Sequence, residues 1–374
     1  MPTSTSSERF IGIMSGTSLD GLDVVLIRRR TDSVQVERGH TFPYDATLQQ
    51  ALTALCSPSA NEIQAMLAAD VALGRFIAAC VQRFLDEAGL ASGDIRAIGS
   101  HGQTIRHLPD GDFPNTLQIG DPNTIAQLTG ITTVADFRRR DMAAGGEGAP
   151  LVPAFHQAMF RHTEENRVVV NIGGIANITV LPADPAEAVI GFDTGPGNGL
   201  MDAWYRQHHD GDCDRDGRWA ASGKPDDGLL AAMSSEGFLN KAPPKSTGRE
   251  LFNAQWLQGH LQGRTLAPED VQASLCQFTA DTIMQAIREH GGRVRRILVC
   301  GGGVHNAELM RRLQAEADDG VAVESTLGQG IDPDHVEGAC FAWMASQTLS
   351  GEASNLPSVT GASAEVILGA IYQV

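Results

Sequence analysis

A chain of 374 residues, 42% of them hydrophobic and 20% charged, has the composition of an ordinary globular protein and the length for two domains or one large one. Its 45 acidic and 28 basic residues leave a net charge of −17, which argues against a nucleic-acid partner, since phosphate backbones are bound through Lys and Arg. The polar stretch 1–8 lacks a signal peptide's apolar core, no segment reads as a membrane span, and the six cysteines show no metal-ligand spacing, so a reducing cytoplasm is expected.

The first predicted element is a β-hairpin. Apolar runs at Phe10–Ile13 and Val24–Ile27 flank a tip containing Ser15, Gly16, Thr17, Ser18, Leu19, Asp20, Gly21, Leu22 and Asp23. Glycine lets a backbone approach a ligand, and consecutive N–H groups in a tight turn form a concavity that holds anions. The tip reads either as a phosphate cradle of the kind found in actin-like kinases and ATPases or as a solvated turn. Helical spacing at Ile63, Met66, Leu67, Val71 and Leu73 predicts a helix within 57–88. Ile95–Ser100 predicts a short strand that delivers His101, Gly102, Gln103 and Thr104 at its end. Leu117–Asp121 is similar, and Pro122 is placed to begin a helix through Leu128. A third strand is expected at Ile131–Ala135; Arg138 to Arg140 follow it and could reach an anionic substrate or form a solvated face.

The glycine-rich segment 145–150 reads as a loop near a domain junction. Arg167–Ile172 and Ala176–Leu181 then predict a second hairpin turning at Gly173 and Gly174. The chain thus carries two glycine-tipped hairpins about one domain apart. Residues 205–264 are polar and suggest only irregular helices. Pro268, Glu269 and Asp270 open a helix with acids in its first turn, as the helix dipole prefers. The strand Arg296–Cys300 runs into Gly301, Gly302 and Gly303, with a helix from near Asn306. Asp332 and Pro333 begin a last helix, apolar nearly all round from Ala339 to Met344 and therefore buried.

Six strings in this order resemble the anhydro-N-acetylmuramic acid kinases, a family within the sugar-kinase, Hsp70 and actin superfamily. They are Ile13–Gly21, Ser100–Thr104, Gln118–Asp121, Asn171–Asn177, Phe192–Asn198 and Gly301–Asn306, and the likeness runs from Phe10 to Tyr372. The resemblance implies an α/β chain with a two-domain actin-like ATPase (RNase H-like) fold and a nucleotide and substrate cleft between the domains. The expected domains are 1–134 plus 345–374, with the first phosphate hairpin, and 135–344, with the second. Many relatives in the superfamily carry an Asp just before the Gly-Thr turn, where this chain has Met14 and Ser15. Asp20 is therefore the preferred magnesium-facing acid.

The resemblance also implies the chemistry: ATP-dependent phosphorylation of 1,6-anhydro-N-acetylmuramic acid with hydrolytic opening of the anhydro ring, in peptidoglycan recycling. ATP and Mg2+ are the expected cofactors, with Gly16 to Asp23 and Gly173-Gly174 as phosphate cradles and Gly301 to Gly303 at the adenosine. Alone, that glycine triplet reads as a strand-to-helix turn; the two hairpins turn the reading toward a nucleotide. Asp193, after a predicted strand Val189–Phe192 and before a Gly-Pro-Gly loop, is the candidate base; an Asx-type turn is the local alternative. His101, Gln103, Arg106, Asp121 and Glu337 are candidate sugar contacts. Two other functions compete: a kinase for another hexose or amino sugar without ring opening, and an actin-like nucleotide-binding regulator. The regulator would want a DNA-binding or peptide-binding extension, which neither terminus suggests. Beyond the small-molecule substrate no nucleic-acid or membrane partner is expected, and a homodimer is left open.

Overall fold

The computed structural model describes residues 7–16, 19–30, 33–248 and 250–374, so Thr17 and Ser18 of the first tip lie outside the described residues. Two compact units result, 1–155 with 335–374 and 156–334. In chain order the first unit supplies β1 (Glu8–Ser15), β2 (Leu22–Arg30), β3 (Ser33–Phe42), β4 (Ala97–Ser100), β5 (Gln103–Leu108), β6 (Asn115–Ile119) and β7 (Thr133–Ala135). The second supplies β8 (Asn166–Ile172), β9 (Ile175–Leu181), β10 (Ile190–Pro196), β11 (Val294–Cys300) and β12 (Ala322–Ser325), and β13 (Ala370–Tyr372) returns to the first.

The two sheets share one plan. In the first, β3-β2-β1-β4-β7 run side by side, with both hairpin pairings antiparallel and β1–β4 and β4–β7 parallel; β13 extends the edge beyond β7. In the second, β10-β9-β8-β11-β12 repeat that order and those directions. This duplicated α/β topology is the actin-like fold expected from the sequence. The strands form because their residues are nearly all apolar where helices cover both faces, as in Phe10 to Ile13 and Val168 to Val170, which are buried. Each unit has its own apolar core, one around Ile11, Leu26, Leu73 and Phe84, the other around Val170, Phe192, Phe278 and Ile297.

The last long helix, Val336–Ser350, fixes a correction to the expected domain boundaries. It lies on the first unit's sheet so closely that a Cβ on Gly12 would come within 1.8 Å of the Gly338 carbonyl oxygen, and one on Gly99 within 2.0 Å of that of Phe341. A division at 344/345 would cut this packing, and residues 135–155 also stay with the first unit. Its start is three residues later than expected, with His335 as N-cap, and Gly351 ends it in the left-handed conformation.

Two further readings change. The helix Glu62–Ala88 turns Leu73, Ile77, Val81, Phe84 and Leu85 inward, whereas Ile63, Leu67 and Val71 are exposed. This same helix is long and apolar enough to cross a membrane by length and composition alone, against the expectation of no such segment. Its inward face is instead part of the first unit's core.

Candidate active site

Asp193 lies within β10, opposite Asn177 of β9, and not after the strand as expected. Pairing continues to Pro196 because a bulge between Asp193 and Gly195 absorbs Thr194, whose hydroxyl donates to the Ala176 carbonyl. The segment 245–247 holds the aspartate from one side. The Asp193 N–H donates to the Lys245 carbonyl at 3.1 Å, while the Ser246 hydroxyl and the Thr247 N–H donate to Asp193 Oδ2 at 3.0 and 2.9 Å. Burial pushes the Asp193 pKa above the usual carboxylate value; these bonds and Lys245 pull against it, and Glu250 adds to it. A half-buried carboxylate with raised proton affinity and one well-fixed oxygen suits a general base.

The second hairpin tip is tied to the loop that follows Asp193. The Gly173 carbonyl accepts from the Asn198 N–H at 2.7 Å, and the Gly174 carbonyl accepts from the N–H groups of Gly197 and Gly199 at 3.0 and 3.1 Å. In a trans peptide the N–H points opposite to the carbonyl. The N–H groups of Gly174 and Ile175 are therefore directed away from that loop, as an anion cradle requires. The glycine triplet packs beside this tip: a Cβ on Gly301 would meet Asn171 Oδ1 at 2.4 Å, and one on Gly303 would meet Ile172 Cγ2 at 2.4 Å. Those two glycines are thus demanded by packing. Gly302 alone has room, with Asn198 Nδ2 at 3.7 Å its nearest neighbour.

In the first hairpin, Ser15 pairs with Leu22, so the loop spans six residues, 16–21. Leu19 takes a positive φ of 57° with its side chain buried, and its N–H donates to the Gly16 carbonyl. Leu22 is also core, so both leucines offer a ligand only their backbone. Gly21 packs against β3, where a Cβ would meet Thr41 Cγ2 at 2.7 Å. Asp23 accepts from the Thr41 hydroxyl, and Asp20 is exposed at the tip. The base of the turn is held by a buried chain in which the Tyr44 hydroxyl donates to Ser15 and Ser15 donates to Gln103 Oε1.

The expected sugar contacts are not all presented alike. Gln103 is buried and committed to Ser15. Arg106 donates to the Leu55 carbonyl and pairs with Glu62, bracing a helix end. Asp121 caps the helix Pro122–Thr129 through the N–H groups of Asn123 and Thr124. These three side chains have local structural uses. His101 differs: its Nε2 receives Arg138 Nε–H at 3.0 Å, which places its own proton on Nδ1, donating to the Gly102 carbonyl at 2.8 Å. Burial and the Arg138 charge hold it neutral, with a pKa well below the ordinary value. His101 and Ser100, whose buried hydroxyl has no hydrogen-bond partner among the described residues, line a cavity of about 120 Å³ with Asp70, Gly120 and Asp136. Half-buried Glu337 sits in the first turn of the last long helix, where its charge supports protonated Arg138. Sequence reasoning missed the 245–247 segment altogether and left Arg138 only as one of a basic run.

The family model for anhydro-N-acetylmuramic acid kinase matches residues 8–374. The chain belongs to that family. A relative from Coxiella burnetii, named anhydro-N-acetylmuramic acid kinase, is 50% identical over 98% of this chain and 97% of its own. One of the same name from Xanthomonas campestris pv. campestris is 49% identical over 99% of both. Among solved structures, the activator of the 2-hydroxyisocaproyl-CoA dehydratase from Clostridium difficile with bound ADPNP aligns at TM-score 0.43 and 11% identity, over 89% of this chain and 92% of that one. As a member of this family the chain is a sugar kinase that uses ATP.

Proposed function

We propose that this kinase phosphorylates 1,6-anhydro-N-acetylmuramic acid while adding water across its anhydro bridge, with Asp193 as the base, and so serves peptidoglycan recycling in the cytoplasm. The bridged sugar has no free 6-hydroxyl, so a plain kinase reaction lacks an acceptor. In the proposed step Asp193 takes a proton from water, the water oxygen bonds to C1, the C1–O6 bond breaks, and O6 takes the γ-phosphoryl group of ATP. N-acetylmuramic acid 6-phosphate and ADP leave. The first half has the logic of inverting glycoside hydrolysis, a base facing the anomeric carbon opposite the leaving oxygen. The second half asks the protein mainly to position and neutralise phosphates.

The observation that carries the reading is the Asp193 carboxylate, raised in pKa by burial and fixed through Oδ2. The backbone of Gly16 to Asp23, the outward N–H groups after Gly173 and Gly174, and Gly302 are assigned to ATP. Among the described residues no cluster of three His, Cys, Asp or Glu could hold a metal by itself. That suits Mg2+, which is commonly held by one or two carboxylates, water and substrate phosphates. Exposed Asp20 would face it, and the ion would supply charge neutralisation at the phosphates. Glu337 is the polar sugar contact this reading keeps; His101, with one ring nitrogen taken by Arg138 and the other by the Gly102 carbonyl, is left its ring carbons to line the pocket, and Gln103, Arg106 and Asp121 hold local structure.

Turnover in H2-18O tests the reaction. A single labelled oxygen should appear at C1 of quenched product, beyond the exchange that unlabelled N-acetylmuramic acid 6-phosphate shows in a parallel control. Label at the phosphate instead, or no turnover of the anhydro sugar beside brisk turnover of ordinary N-acetylmuramic acid, would refute ring opening.

A further inference from the structure

The two donors that reach the Asp193 side chain both land on the same oxygen. Ser246 Oγ lies 3.0 Å and the Thr247 nitrogen 2.9 Å from Oδ2, and among the described residues no hydrogen bond reaches Oδ1. A third contact fixes the main chain, because the Asp193 N–H donates to the Lys245 carbonyl at 3.1 Å. Three consecutive residues thus restrain the aspartate at its backbone and at one carboxylate oxygen. The segment is itself anchored. Lys245 donates to the Leu239 carbonyl at 2.8 Å, and its ammonium stands 5.0 Å from the Phe238 ring centre and 5.7 Å from that of Phe192, the residue before Asp193.

We propose that Ser246 is a positioning residue for the water-activating step, holding Oδ2 so that Oδ1 is the atom that takes the proton. This rests on the reading of Asp193 as the base. A carboxylate can rotate about its terminal torsion, and that torsion is broad. Two donors on one oxygen remove the freedom and lower that oxygen's own basicity, since its electron density is shared with two N–H or O–H groups. The proton-accepting role then falls to the other oxygen, and its direction is set by the strand. A backbone donor and a side-chain donor share the work. Only the second can be removed by substitution without disturbing the chain.

Among the described residues the charged groups acting on Asp193 are Lys245 and Glu250, and Glu289 of the helix Pro268–His290 acts in turn on Lys245. Ser246→Ala leaves all three in place and takes away one bond that favours the ionised form. The expected kcat is about tenfold lower or more, the span that a hydrogen bond to a charged group commands, with both KM values changed less than twofold. The acid limb of the kcat/KM profile should move to higher pH, because the base now holds its proton more tightly. Ser246→Thr, which keeps a hydroxyl, should restore most of the rate and return the limb. Wild-type kcat in Ser246→Ala overturns the proposal, as does a fall in kcat and melting temperature with the acid limb unmoved. Asp193→Asn in parallel separates the two ideas. If that variant turns over normally, the base reading fails and the positioning role with it; if it is dead while Ser246→Ala is normal, only the positioning role fails.

Discussion

Asp193→Asn separates chemistry from structure because the site treats the two functional groups so differently. The amide has the size of the carboxylate, and its oxygen can accept from Ser246 and Thr247 where Oδ2 does now. Its NH2 then occupies the Oδ1 position and offers donors where the reaction needs an acceptor. Loss of a positioned base costs about 10²–10⁴-fold in rate, or roughly 3–5 kcal/mol of barrier. Stability should move the other way or not at all. The two bonds weaken from charge-assisted to neutral, about 1 kcal/mol each, but the cost of burying a charge disappears. Burial is the largest influence on this group, and its pKa in the folded state is raised. The folded protein therefore binds the proton more tightly than the unfolded chain, and ionisation works against folding as pH rises through the carboxylate range. At neutral pH the variant should melt at or above the wild-type temperature while binding ATP and sugar with near-normal affinity. Turnover, calorimetric binding and thermal melts on one preparation are the assay. A variant that melts several degrees lower and keeps its rate would show that Asp193 merely caps its loop.

Packing and titration supply two more tests. Gly99→Ala would set a methyl group 2.0 Å from the Phe341 carbonyl oxygen and 3.0 Å from Ala345 Cβ, and neither a strand nor a helix backbone can yield cheaply. A loss of about 1–3 kcal/mol or more is expected in denaturant melts, against near-neutrality for Gly93→Ala, whose Cβ would meet nothing within 4 Å; equal midpoints would refute the close packing. His156, with Nδ1 at 2.9 Å from Thr179 Oγ1, has its pKa pushed down to about 3 by burial. The unfolded chain takes up that proton below about pH 6.5 and the folded one does not, so stability is lost as pH falls from there, by up to about 1.4 kcal/mol per pH unit. His101 acts with the same sign. His156→Gln should flatten the fall in urea midpoint between pH 6.5 and 5, and an unchanged slope would count against the buried neutral ring.

The central strands of both sheets were legible from the sequence, because apolar runs such as Val168–Val170 and Ile297–Val299 admit few other readings and are buried, whereas the edge strands Ser33–Phe42 and Ala322–Ser325, more polar and less buried, were not legible as strands. The helix Glu62–Ala88 was legible as a helix but not in its orientation. Ala and Leu occur on both faces, so the spacing that selected Ile63, Leu67 and Val71 was as good as the one that places Leu73, Ile77 and Phe84 inward. The site was legible at its strings and not at its side chains. A run such as Ser100 to Thr104 marks a place where chemistry-bearing residues gather, but only tertiary packing turns Gln103 to Ser15 and His101 to Arg138, each far away along the chain. Ser246 and Thr247 carried no local signal at all. Their role exists only through contact with a residue more than fifty positions earlier.

The shared sheet order makes the difference between the two hairpin tips informative. A two-residue tip at Gly173 and Gly174 has no side chains to anchor it, and the structure anchors it through its carbonyls to three successive backbone N–H groups at 197–199. Those same residues would clash if they carried side chains, since a Cβ on Gly197 would meet the Gly173 oxygen at 2.3 Å and one on Gly199 the Gly174 oxygen at 2.8 Å. Gly197 and Gly199 are thus explained by the tip. The six-residue tip of the first unit is anchored instead by side chains, Tyr44 to Ser15 to Gln103 at its base and the Gln49 amide on the Leu19 carbonyl above it. Burial drives the Tyr44 pKa to about 12, so its hydroxyl keeps the proton it donates across any physiological pH. Both arrangements occupy the polar groups that face inward from the described part of each tip. One architecture thus anchors its hairpin tip in two ways, with backbone donors doing in the second unit what a hydroxyl chain does in the first.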